Sequence, residues 1–450
     1  MHRKFSVLVK KKINRYNRKI TISPDKSITH RCYFIASQCL GISKIKGLDS
    51  EDVHATINAL RLLGIKIVKK KGGVFYVYGS AISGFKKFTG VIDCGNSGTS
   101  IRSLLGLLTC YPHPVTLTGD ASLRKRPFLR LTNFLERIGA LITYPKNKKI
   151  NLPIKIHGTL DWTLAQRHYV EVPSAQIASA LIYAGLQTKG ITEVIESSET
   201  RDHTQRLLKY LGADIQVKKS GGKRITRIRG QVEMHNFSIK VPGDFSSAIF
   251  LIVQTLLTKK SSLLIRSVCV NENRIGAYHI LKTMGAKIKM LNKRKYFNED
   301  VADLFVHSSK LKGIVCPTKF IVKSVDDLPA IWIACALAQG QSYFKQISEL
   351  RFKESNRIKT MSENLNRFGI KTHSTNNSLK IYGNPKIKVD KLIKIPATLD
   401  HRNCMCMHVF ANVTGSKVLI NGFNAVASSF PNWLKLQRQK FGSRYEIKKK

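Results

Sequence analysis

A glycine that follows a bulky apolar residue recurs six times along the chain at nearly constant spacing. Each copy stands where an amphipathic helical pattern ends and a strand-like stretch begins. A glycine there can adopt the left-handed conformation that closes a helix. Successive copies lie 75, 73, 73, 84 and 73 residues apart. A fixed period of this size indicates repeated units of helices and strands, and the marker glycines are Gly64, Gly139, Gly212, Gly285, Gly369 and Gly442.

Each period also contains one polar start that opens a run of small and apolar residues. Asp, Asn and Ser side chains accept hydrogen bonds from the first free N–H groups of a helix, so each start predicts a helix N-cap. The runs that follow, such as 248–257, are apolar nearly all round, which is typical of a buried helix. The six starts lie at 25–27, 96–99, 174–176, 244–247, 326–327 and 400–402.

Short stretches rich in Val and Ile lie between these helices and are predicted to be strands. Some of them follow each other with no helical pattern between, which predicts sheets that are mixed or partly antiparallel. Six units of about 74 residues divide naturally into two lobes of three. We therefore predict an α/β protein of the α+β type, with strands at 74–78, 154–157, 237–241, 379–382 and 417–420.

The positive charge of the chain is large and evenly spread. The sequence has 76 Lys and Arg against 28 Asp and Glu, a formal net charge of +48. One interpretation is a nucleic-acid-binding protein, and the other is a Lys-rich composition over the whole surface. The lysines recur in every third of the chain rather than in one arm or stripe. This favours the second interpretation, so no nucleic-acid partner is expected, although a basic field attracts small anionic substrates.

Cysteine usage and hydropathy narrow the cellular setting. The nine cysteines are an odd number and include no C-x-x-C pair, so we expect neither a disulfide framework nor structural zinc, and a cytoplasmic location. No stretch reaches the ~18 apolar residues of a membrane span, so no membrane partner is expected. The basic first 19 residues lack the apolar core of a secretory signal. An organellar transit peptide stays open, because the whole chain is basic.

Cations and hydroxyls gather at the predicted helix starts. A buried helix that begins at the surface presents free N–H groups and the positive end of its dipole, and several such ends facing one cleft would bind anions. The alternative is six ordinary caps with solvated cations, but a basic residue at nearly every repeat favours the anion site. Two acidic residues, Asp326 and Glu354, stand in this basic setting, and the spacing of Lys353, Glu354 and Arg357 predicts that these three share one helix face. Spacing alone leaves open whether the two acids form ion pairs or transfer protons.

In these segments the chain resembles the 5-enolpyruvylshikimate-3-phosphate (EPSP) synthase family of enolpyruvyl transferases. The matching stretches come in the family order and span nearly the whole chain, and the ordered set is far more specific than any one stretch. They are DKSITHR at 25–31, GNSGT at 95–99, GDASLRKRP at 119–127, SAQ at 174–176, RDHT at 201–204, VPGD at 241–244, LRFKE at 350–354 and DHR at 400–402.

The resemblance implies a two-lobed enolpyruvyl transferase-like fold, which agrees with the six periods. Each lobe would contain three βαβαββ repeats, with helix N-termini facing the interlobe cleft. Lobe 1 would comprise residues 1–22 and 242–450, and lobe 2 would comprise residues 23–241. The chain would cross between the lobes near 22–25 and 240–244. We expect a monomer that is open in the absence of ligands.

The resemblance also implies a reaction. The family transfers the enolpyruvyl group of phosphoenolpyruvate to the 5-hydroxyl of shikimate 3-phosphate and releases phosphate, a step of the shikimate pathway to chorismate and the aromatic amino acids. The expected partners are therefore two small anions. The implied catalytic residues are Asp326 for the hydroxyl proton, and Glu354 with Lys26 for the proton at C3 of phosphoenolpyruvate. We expect no metal and no other cofactor, because protein cations can compensate the charge.

The residues that the resemblance assigns to binding form two overlapping sets. Those expected to bind shikimate 3-phosphate are Lys26, Ser27, Arg31, Ser174, Ala175, Gln176, Ser198, Arg201, Asp326 and Lys353. Those expected to bind phosphoenolpyruvate are Lys26, Gly98, Arg126, Gln176, Arg357 and Arg402. Some family members carry Ala at the position of Gly98, and the smaller residue favours sensitivity to glyphosate.

The chain departs from the family pattern at a few positions. Ser428 stands before Phe-Pro where the family usually has a lysine that contacts phosphoenolpyruvate. Pro24 replaces a usual glycine, and Asn356 replaces an acidic residue. Either the enzyme binds phosphoenolpyruvate more weakly, or the chain is a drifting copy. Retention of the two carboxylates and the cleft arginines favours an active enzyme.

Three other functions compete with this reading. A UDP-N-acetylglucosamine enolpyruvyl transferase-like enzyme would need that family's nucleotide-sugar motifs and its loop cysteine, and Cys94 and Cys110 lie in the wrong context for it. A polyanion-binding protein would retain polymers in a salt-sensitive way without turnover. A catalytically weakened relative would serve as a partner subunit. Phosphate release from the two substrates separates these functions.

The serine at position 428 predicts a raised Michaelis constant for phosphoenolpyruvate. Ser428→Lys should lower that constant by ~3- to 10-fold, because it restores one charge-assisted hydrogen bond. Steady-state kinetics at saturating shikimate 3-phosphate measures the change. Ser220→Lys, which adds the same charge outside the matching stretches, is the control and should change nothing. An unchanged constant in Ser428→Lys would contradict the prediction.

Overall fold

The computed structural model describes residues 5–145, 151–159 and 163–449 of the 450-residue chain. The chain forms two compact units. Unit 1 takes the residues up to Ser23, then Pro242–Arg294, then those from Asp300 onward, and unit 2 takes Pro24–Val241 with Lys295–Glu299. Each unit is therefore assembled from separate stretches of sequence.

Helices and strands alternate along the described residues. The helices are α1 Lys26–Ser37, α2 Glu51–Leu62, α3 Gly98–Leu107, α4 Leu129–Ile138, α5 Ala175–Gln187, α6 His203–Tyr210, α7 Phe245–Leu257, α8 Gly276–Thr283, α9 Leu328–Ala336, α10 Arg357–Arg367, α11 His401–Thr414 and α12 Trp433–Phe441.

The strands are short, and most have three to six residues. They are β1 Phe5–Val9, β2 Asn17–Thr21, β3 Ile42–Lys46, β4 Lys66–Lys70, β5 Val74–Tyr78, β6 Gly90–Asp93, β7 Val115–Thr118, β8 Leu141–Thr143, β9 Ile154–His157, β10 Arg167–Val170, β11 Ile191–Glu196, β12 Ile215–Ser220, β13 Lys223–Arg229, β14 Ser238–Lys240, β15 Ser262–Cys269, β16 Lys287–Tyr296, β17 Glu299–His307, β18 Gly340–Lys345, β19 Thr372–Ser374, β20 Ser378–Gly383, β21 Ile393–Ile395, β22 Val418–Ile420 and β23 Tyr445–Lys449.

The repeat unit is a small mixed sheet with two helices. In unit 2, β6-α3-β7-α4-β8-β9 gives a sheet of order β6-β7-β9-β8, and β10 to β13 repeat that order. The second strand of each copy pairs with its parallel neighbour on one side and an antiparallel neighbour on the other. The predicted mixed sheets are confirmed.

Two strands exchange places between repeats. β2 precedes α1 in sequence but pairs in parallel with β15 in unit 1, and β14 precedes α7 but pairs in parallel with β3 in unit 2. In addition, β1 lies between β22 and β23 and is antiparallel to both. The strands β1 and β2 therefore complete two sheets of unit 1.

The helix ends follow the sequence signals closely. All six marker glycines have positive φ, between 67° and 123°, at or next to a helix C-cap. Side chains cap five of the six predicted starts, through Asp25, Ser97, Ser174, Asp244 and Asp400. The sixth predicted start also contains the N-cap residue of its helix, Asp327. The Asp327 carboxylate makes no capping bond, because Ser246 and Arg402 take it instead.

Each predicted crossing, near 22–25 and near 240–244, contains a unit boundary, but the units differ from the predicted lobes at two places. Ser23 belongs to unit 1, where its carbonyl accepts a hydrogen bond from the Asp244 amide at 2.9 Å. The turn between β16 and β17, Lys295–Glu299, belongs to unit 2. It is held there because the Asn298 carbonyl accepts from Arg206 at 2.8 Å, and the Tyr296 hydroxyl accepts from the Lys240 amide at 3.2 Å. No pattern in the sequence predicted this insertion.

Three buried helices form the centre of each unit. In unit 1, α7, α9 and α11 pack against one another, and nearly every residue in them is buried. In unit 2, α3 packs against both α1 and α5. Helices that are apolar on all sides can be covered in this way without a polar face. No helix in the described ranges is long and apolar enough to cross a membrane.

A histidine is enclosed in the apolar interior of unit 1. His408 on α11 is fully buried, with the rings of Phe423, Trp433 and Tyr445 at centroid distances of 5.7, 5.8 and 5.9 Å. The Asn412 side-chain amide lies 3.2 Å from its Nδ1 atom. Burial lowers the pKa of His408 from 6.5 to about 3, so the folded protein keeps the ring neutral.

This burial predicts a loss of stability in mild acid. The unfolded chain protonates His408 below pH 6.5 and the folded chain does not, so its contribution is complete above pH 6.5 and falls towards pH 3. The loss is about 1.4 kcal/mol per pH unit. Urea unfolding at pH 7, 6 and 5 should show a shallower pH dependence in His408→Gln than in the wild type. The exposed His373→Gln is the control, and equal slopes in all three proteins would contradict the prediction.

Candidate active site

Three aspartates meet at one end of the helix trio in unit 1. Asp244, Asp327 and Asp400 are the N-cap residues of α7, α9 and α11, and these helices pack side by side. Their side chains are almost completely buried, with 6%, 1% and 0% of the side-chain surface exposed. Buried carboxylates need cationic or hydrogen-bonding partners, and arginines from three different segments supply them.

Arg357 is the most enclosed of these arginines. It is the first residue of α10. Its Nε and Nη2 atoms lie 2.8 and 3.3 Å from the two oxygens of Asp400, and Nη2 also donates to Glu354. Burial alone would lower the pKa of Arg357, but Asp400, Glu354 and Asp326 together raise it well above its usual value. This guanidinium stays charged and is fixed by two-point contact.

Asp326 precedes the capping aspartate of α9 and lies among cations. Its carboxylate is 3.6 Å from Arg357 Nη1, 3.9 Å from Arg274 Nη1 and 4.0 Å from Lys353 Nζ. Its side chain keeps 17% of its surface exposed. The three N-cap aspartates are also paired, but only the Asp326 carboxylate among these four keeps a clearly accessible surface.

The segment before α10 carries the other predicted residues of unit 1. Lys353 and Glu354 lie in the connection between a short 3-10 turn and α10, so the expected common helix face with Arg357 is wrong. Asn356, which replaces an acidic residue in the pattern, caps α10 by accepting from the Lys359 amide at 3.2 Å. The departure therefore retains a group that fixes the start of α10.

Arg402 completes the cluster of charged side chains in unit 1. Its Nη1 atom lies 3.3 Å from Asp327, and the Ser246 hydroxyl donates to the same carboxylate. Burial raises the pKa of Asp327, although Arg274 and Arg402 act against that shift. Ser428, the departure from the family lysine, contacts the neighbouring residue, with 3.4 Å between its hydroxyl and the His401 Nδ1 atom.

In unit 2, two predicted cations are fixed on α1. Lys26, at the start of α1, lies 2.7 Å from Asp52 at the start of α2. Arg31, one turn later, donates to the Thr204 and Ser179 hydroxyls at 2.8 and 2.9 Å. Burial, with Arg201 nearby, lowers the pKa of Arg31. Its partners are hydroxyls rather than carboxylates, so Arg31 keeps most of its charge available to an anion.

A third predicted cation of unit 2, Arg126, lies beside the start of α3. Arg126 Nη2 donates to the Asn96 side chain and lies 3.5 Å from the Ser122 hydroxyl. A Cβ atom on Gly98 would stand 2.9 Å from Arg126 Nη1 and also 2.9 Å from Arg102 Nη1. The glycine therefore lets two guanidiniums approach the first turn of α3, and any larger residue there must displace them.

The remaining predicted residues lie at α5 and after β11. Ser174 caps α5 and Ala175 is its first helical residue, and Gln176 donates to the Thr99 hydroxyl of α3 at 3.1 Å. Ser198 and Arg201 lie in the loop between β11 and α6. The Ser198 hydroxyl is buried with no hydrogen-bond partner among the described residues.

Two residues that contact the predicted site residues were not predicted themselves. Asp52 pairs with Lys26, and Arg274 joins Asp244 at 3.0 Å to Asp326. Asp52 belongs to the acidic start of α2 and Arg274 to a polar loop before α8. Both looked like ordinary helix-start or loop residues, because only the packing of distant segments brings them to the site.

The comparisons with known proteins agree in fold over the whole chain. An EPSP synthase from Acinetobacter baumannii has a TM-score of 0.85 and 32% identity, covering 99% of this chain and 100% of that protein. The enolpyruvyl transferase NikO from Streptomyces tendae has a TM-score of 0.77 and covers 100% of each chain. At 13% identity the second likeness shows the fold alone. The chain has the enolpyruvyl transferase fold.

The sequence comparisons name the family. The family model for EPSP synthase (3-phosphoshikimate 1-carboxyvinyltransferase) matches residues 10–436. The relative called 3-phosphoshikimate 1-carboxyvinyltransferase from Zymomonas mobilis is 37% identical over 98% of this chain and 97% of its own length. The one from Geotalea daltonii is 39% identical over 93% and 95%. The chain belongs to the EPSP synthase family.

The carboxylates around Arg357 predict a large cost for its removal. Arg357→Met leaves Asp400, Glu354 and Asp326 without their shared cation and should lower the free energy of unfolding by about 3–5 kcal/mol. Urea or thermal unfolding at pH 7 measures this loss. Arg367→Met, at the exposed far end of α10, is the matched control and should cost less than ~0.5 kcal/mol. Similar losses in both variants would contradict the prediction.

Proposed function

We propose that the chain transfers the enolpyruvyl (1-carboxyvinyl) group of phosphoenolpyruvate to the 5-hydroxyl of shikimate 3-phosphate. The products are 5-enolpyruvylshikimate 3-phosphate and phosphate. The observation that carries this proposal is the near-full-length match to relatives named for that transfer. The reaction belongs to the shikimate pathway, which leads through chorismate to the aromatic amino acids.

The cationic side chains of the predicted site residues suit these substrates. Each substrate carries a phosphate and a carboxylate, and both kinds of group prefer the planar two-point contact of a guanidinium. We assign Arg126, Arg357 and Arg402 to phosphoenolpyruvate, with Gly98 leaving room beside Arg126. Lys26 and Gln176 contact both substrates. The residues assigned to shikimate 3-phosphate are Ser27, Arg31, Ser174, Ala175, Ser198, Arg201 and Lys353.

Exposure selects the proton-transfer groups. Among the carboxylates joined through Arg274, Arg357 and Arg402, the three capping aspartates have at most 6% of their side-chain surface exposed. Asp326 and Glu354 keep 17% and 18%. A group that exchanges protons with a substrate must be reachable. These two acids therefore take the catalytic roles and the capping aspartates hold the arginines.

The reaction then proceeds by addition and elimination. The 5-hydroxyl oxygen bonds to C2 of phosphoenolpyruvate as Asp326 accepts the hydroxyl proton, and Glu354, assisted by Lys26, gives a proton to C3, which becomes a methyl group. In the second step C3 returns that proton, the double bond re-forms, and the bond between C2 and the phosphate oxygen breaks. Side chains handle every proton and charge in this scheme.

Further properties of the proposed enzyme are its setting and assembly. We place it in the cytoplasm, which agrees with nine buried cysteines that are all free thiols. We expect a monomer that needs neither nucleic acid nor a membrane for this reaction. A UDP-N-acetylglucosamine enolpyruvyl transferase-like activity has less support, because the full-length relatives at 37% and 39% identity carry the shikimate name.

Phosphate release from phosphoenolpyruvate and shikimate 3-phosphate tests the proposal. The wild type should release phosphate only with both substrates, and Asp326→Asn and Glu354→Gln should each lower kcat by ~10²- to 10⁴-fold, the range for a lost proton-transfer group.

The controls are Asp390→Asn and Glu363→Gln, two exposed acids of unit 1, which should keep wild-type rates. A folded wild type without phosphate release would reject the function. Full activity in both catalytic variants would reject the assignment of the two acids.

A further inference from the structure

A line of four hydrogen-bonding side chains runs through the interior of unit 2. It joins His30 Nδ1 to the Thr56 hydroxyl at 2.8 Å, Thr56 to the Ser100 hydroxyl at 2.7 Å, and Ser100 to the Ser97 hydroxyl at 2.7 Å. The four residues come from α1, α2 and the start of α3, and these three helices pack against one another. None of the four belongs to the residues assigned above to the substrates.

The line is sealed from solvent. Each of the four side chains is at most 1% exposed. His30 Nε2 is buried with no hydrogen-bond partner among the described residues, so the ring is tied to its surroundings through Nδ1. Burial, with the charges of Lys26 and Arg31 close by, lowers the pKa of His30 well below 6.5. The ring is therefore neutral, and the line consists of neutral groups that hold one geometry across the working pH range.

The far end of the line fixes the first turn of α3. Ser97 caps α3 by accepting the Ser100 amide at 3.2 Å. Its neighbour Asn96 accepts a hydrogen bond from Arg126, and its other neighbour Gly98 sets how closely the Arg126 guanidinium approaches the helix. A shift of Ser97 therefore moves both neighbours of Arg126 together.

We infer that His30, Thr56 and Ser100 are positioning residues for phosphoenolpyruvate, which they hold in place through Ser97 and the start of α3. This inference rests on the proposed function and deepens it, because it names the interior groups that orient the phosphoenolpyruvate contacts of unit 2. The binding contacts of Lys353, Arg357 and Arg402 belong to unit 1 and stay outside the line.

Thr56→Val is the sharpest test, because valine keeps the shape of threonine and removes the hydroxyl in the middle of the line. The KM for phosphoenolpyruvate should rise ~3- to 10-fold, the equivalent of one lost buried hydrogen bond. The KM for shikimate 3-phosphate and kcat should stay within about twofold. Thr56→Ser keeps a hydroxyl and should restore the wild-type KM. Ser100→Ala should behave like Thr56→Val.

Thr109→Val is the matched control. Thr109 follows the other end of α3, is fully buried, and donates its hydroxyl to the Leu105 carbonyl at 2.9 Å. The Thr109→Val substitution likewise removes a buried hydroxyl and its hydrogen bond, and it should leave both KM values unchanged. An unchanged KM for phosphoenolpyruvate in folded Thr56→Val would overturn the inference. Equal rises for both substrates in Thr56→Val and Thr109→Val would also overturn it, because they would indicate general loosening of unit 2.

Binding separates this inference from the proposed function. Calorimetric titration with phosphoenolpyruvate, in the absence of shikimate 3-phosphate, compares the wild type with Thr56→Val without turnover. A wild type that binds but releases no phosphate rejects the proposed function, and the weaker binding of Thr56→Val then still supports the positioning role. A wild type that shows neither binding nor turnover overturns both.

Discussion

The buried pairing of arginines with capping aspartates is the interaction on which the rest of unit 1 depends. A helix that is apolar on all sides must begin somewhere, and its first N–H groups need an acceptor. Asp244 and Asp400 supply that acceptor for α7 and α11, but the charge they bring cannot stay unpaired in the interior. Arg274 and Arg357 neutralise it from neighbouring loops and helices. The cap thus determines where the cations stand, and the cations in turn make the site attractive to anions.

The central helices of unit 2 begin with fewer charged caps than those of unit 1. Two of its three central helices are capped by serines, Ser97 and Ser174, which need no counter-ion. Arg31 is bound to hydroxyls and a backbone carbonyl rather than to carboxylates, so its charge is only weakly neutralised. The repeats share a backbone plan, yet the central helices of unit 1 begin at three aspartates, whereas those of unit 2 begin at one aspartate and two serines.

Features that depend only on neighbouring residues, such as helix ends, could be predicted from the sequence. The glycines at the helix ends need positive φ whatever surrounds them, and the caps of α1 and α11 follow from an aspartate before an apolar run, so period and helix starts could be derived from the sequence. Asp52 and Arg274 could not, because their roles arise from segments that are distant in sequence and meet only through packing. The common helix face predicted for Lys353, Glu354 and Arg357 was wrong because the helical spacing was applied across a helix boundary. Asn356 caps α10, so Lys353 and Glu354 lie in the loop before the helix and Arg357 lies in it.

The strand exchange between repeats has a consequence for how the protein is made. Unit 2 is nearly continuous in sequence, so most of it can fold as soon as it leaves the ribosome. β1 and β2 emerge first but find their partners only in β15, β22 and β23. β2 must therefore wait with unpaired edges until β15 has been translated, and β1 must wait until almost the last residue. Lys10–Lys12 and the other cations around these strands add the charge that keeps such waiting edges from pairing with the wrong chain.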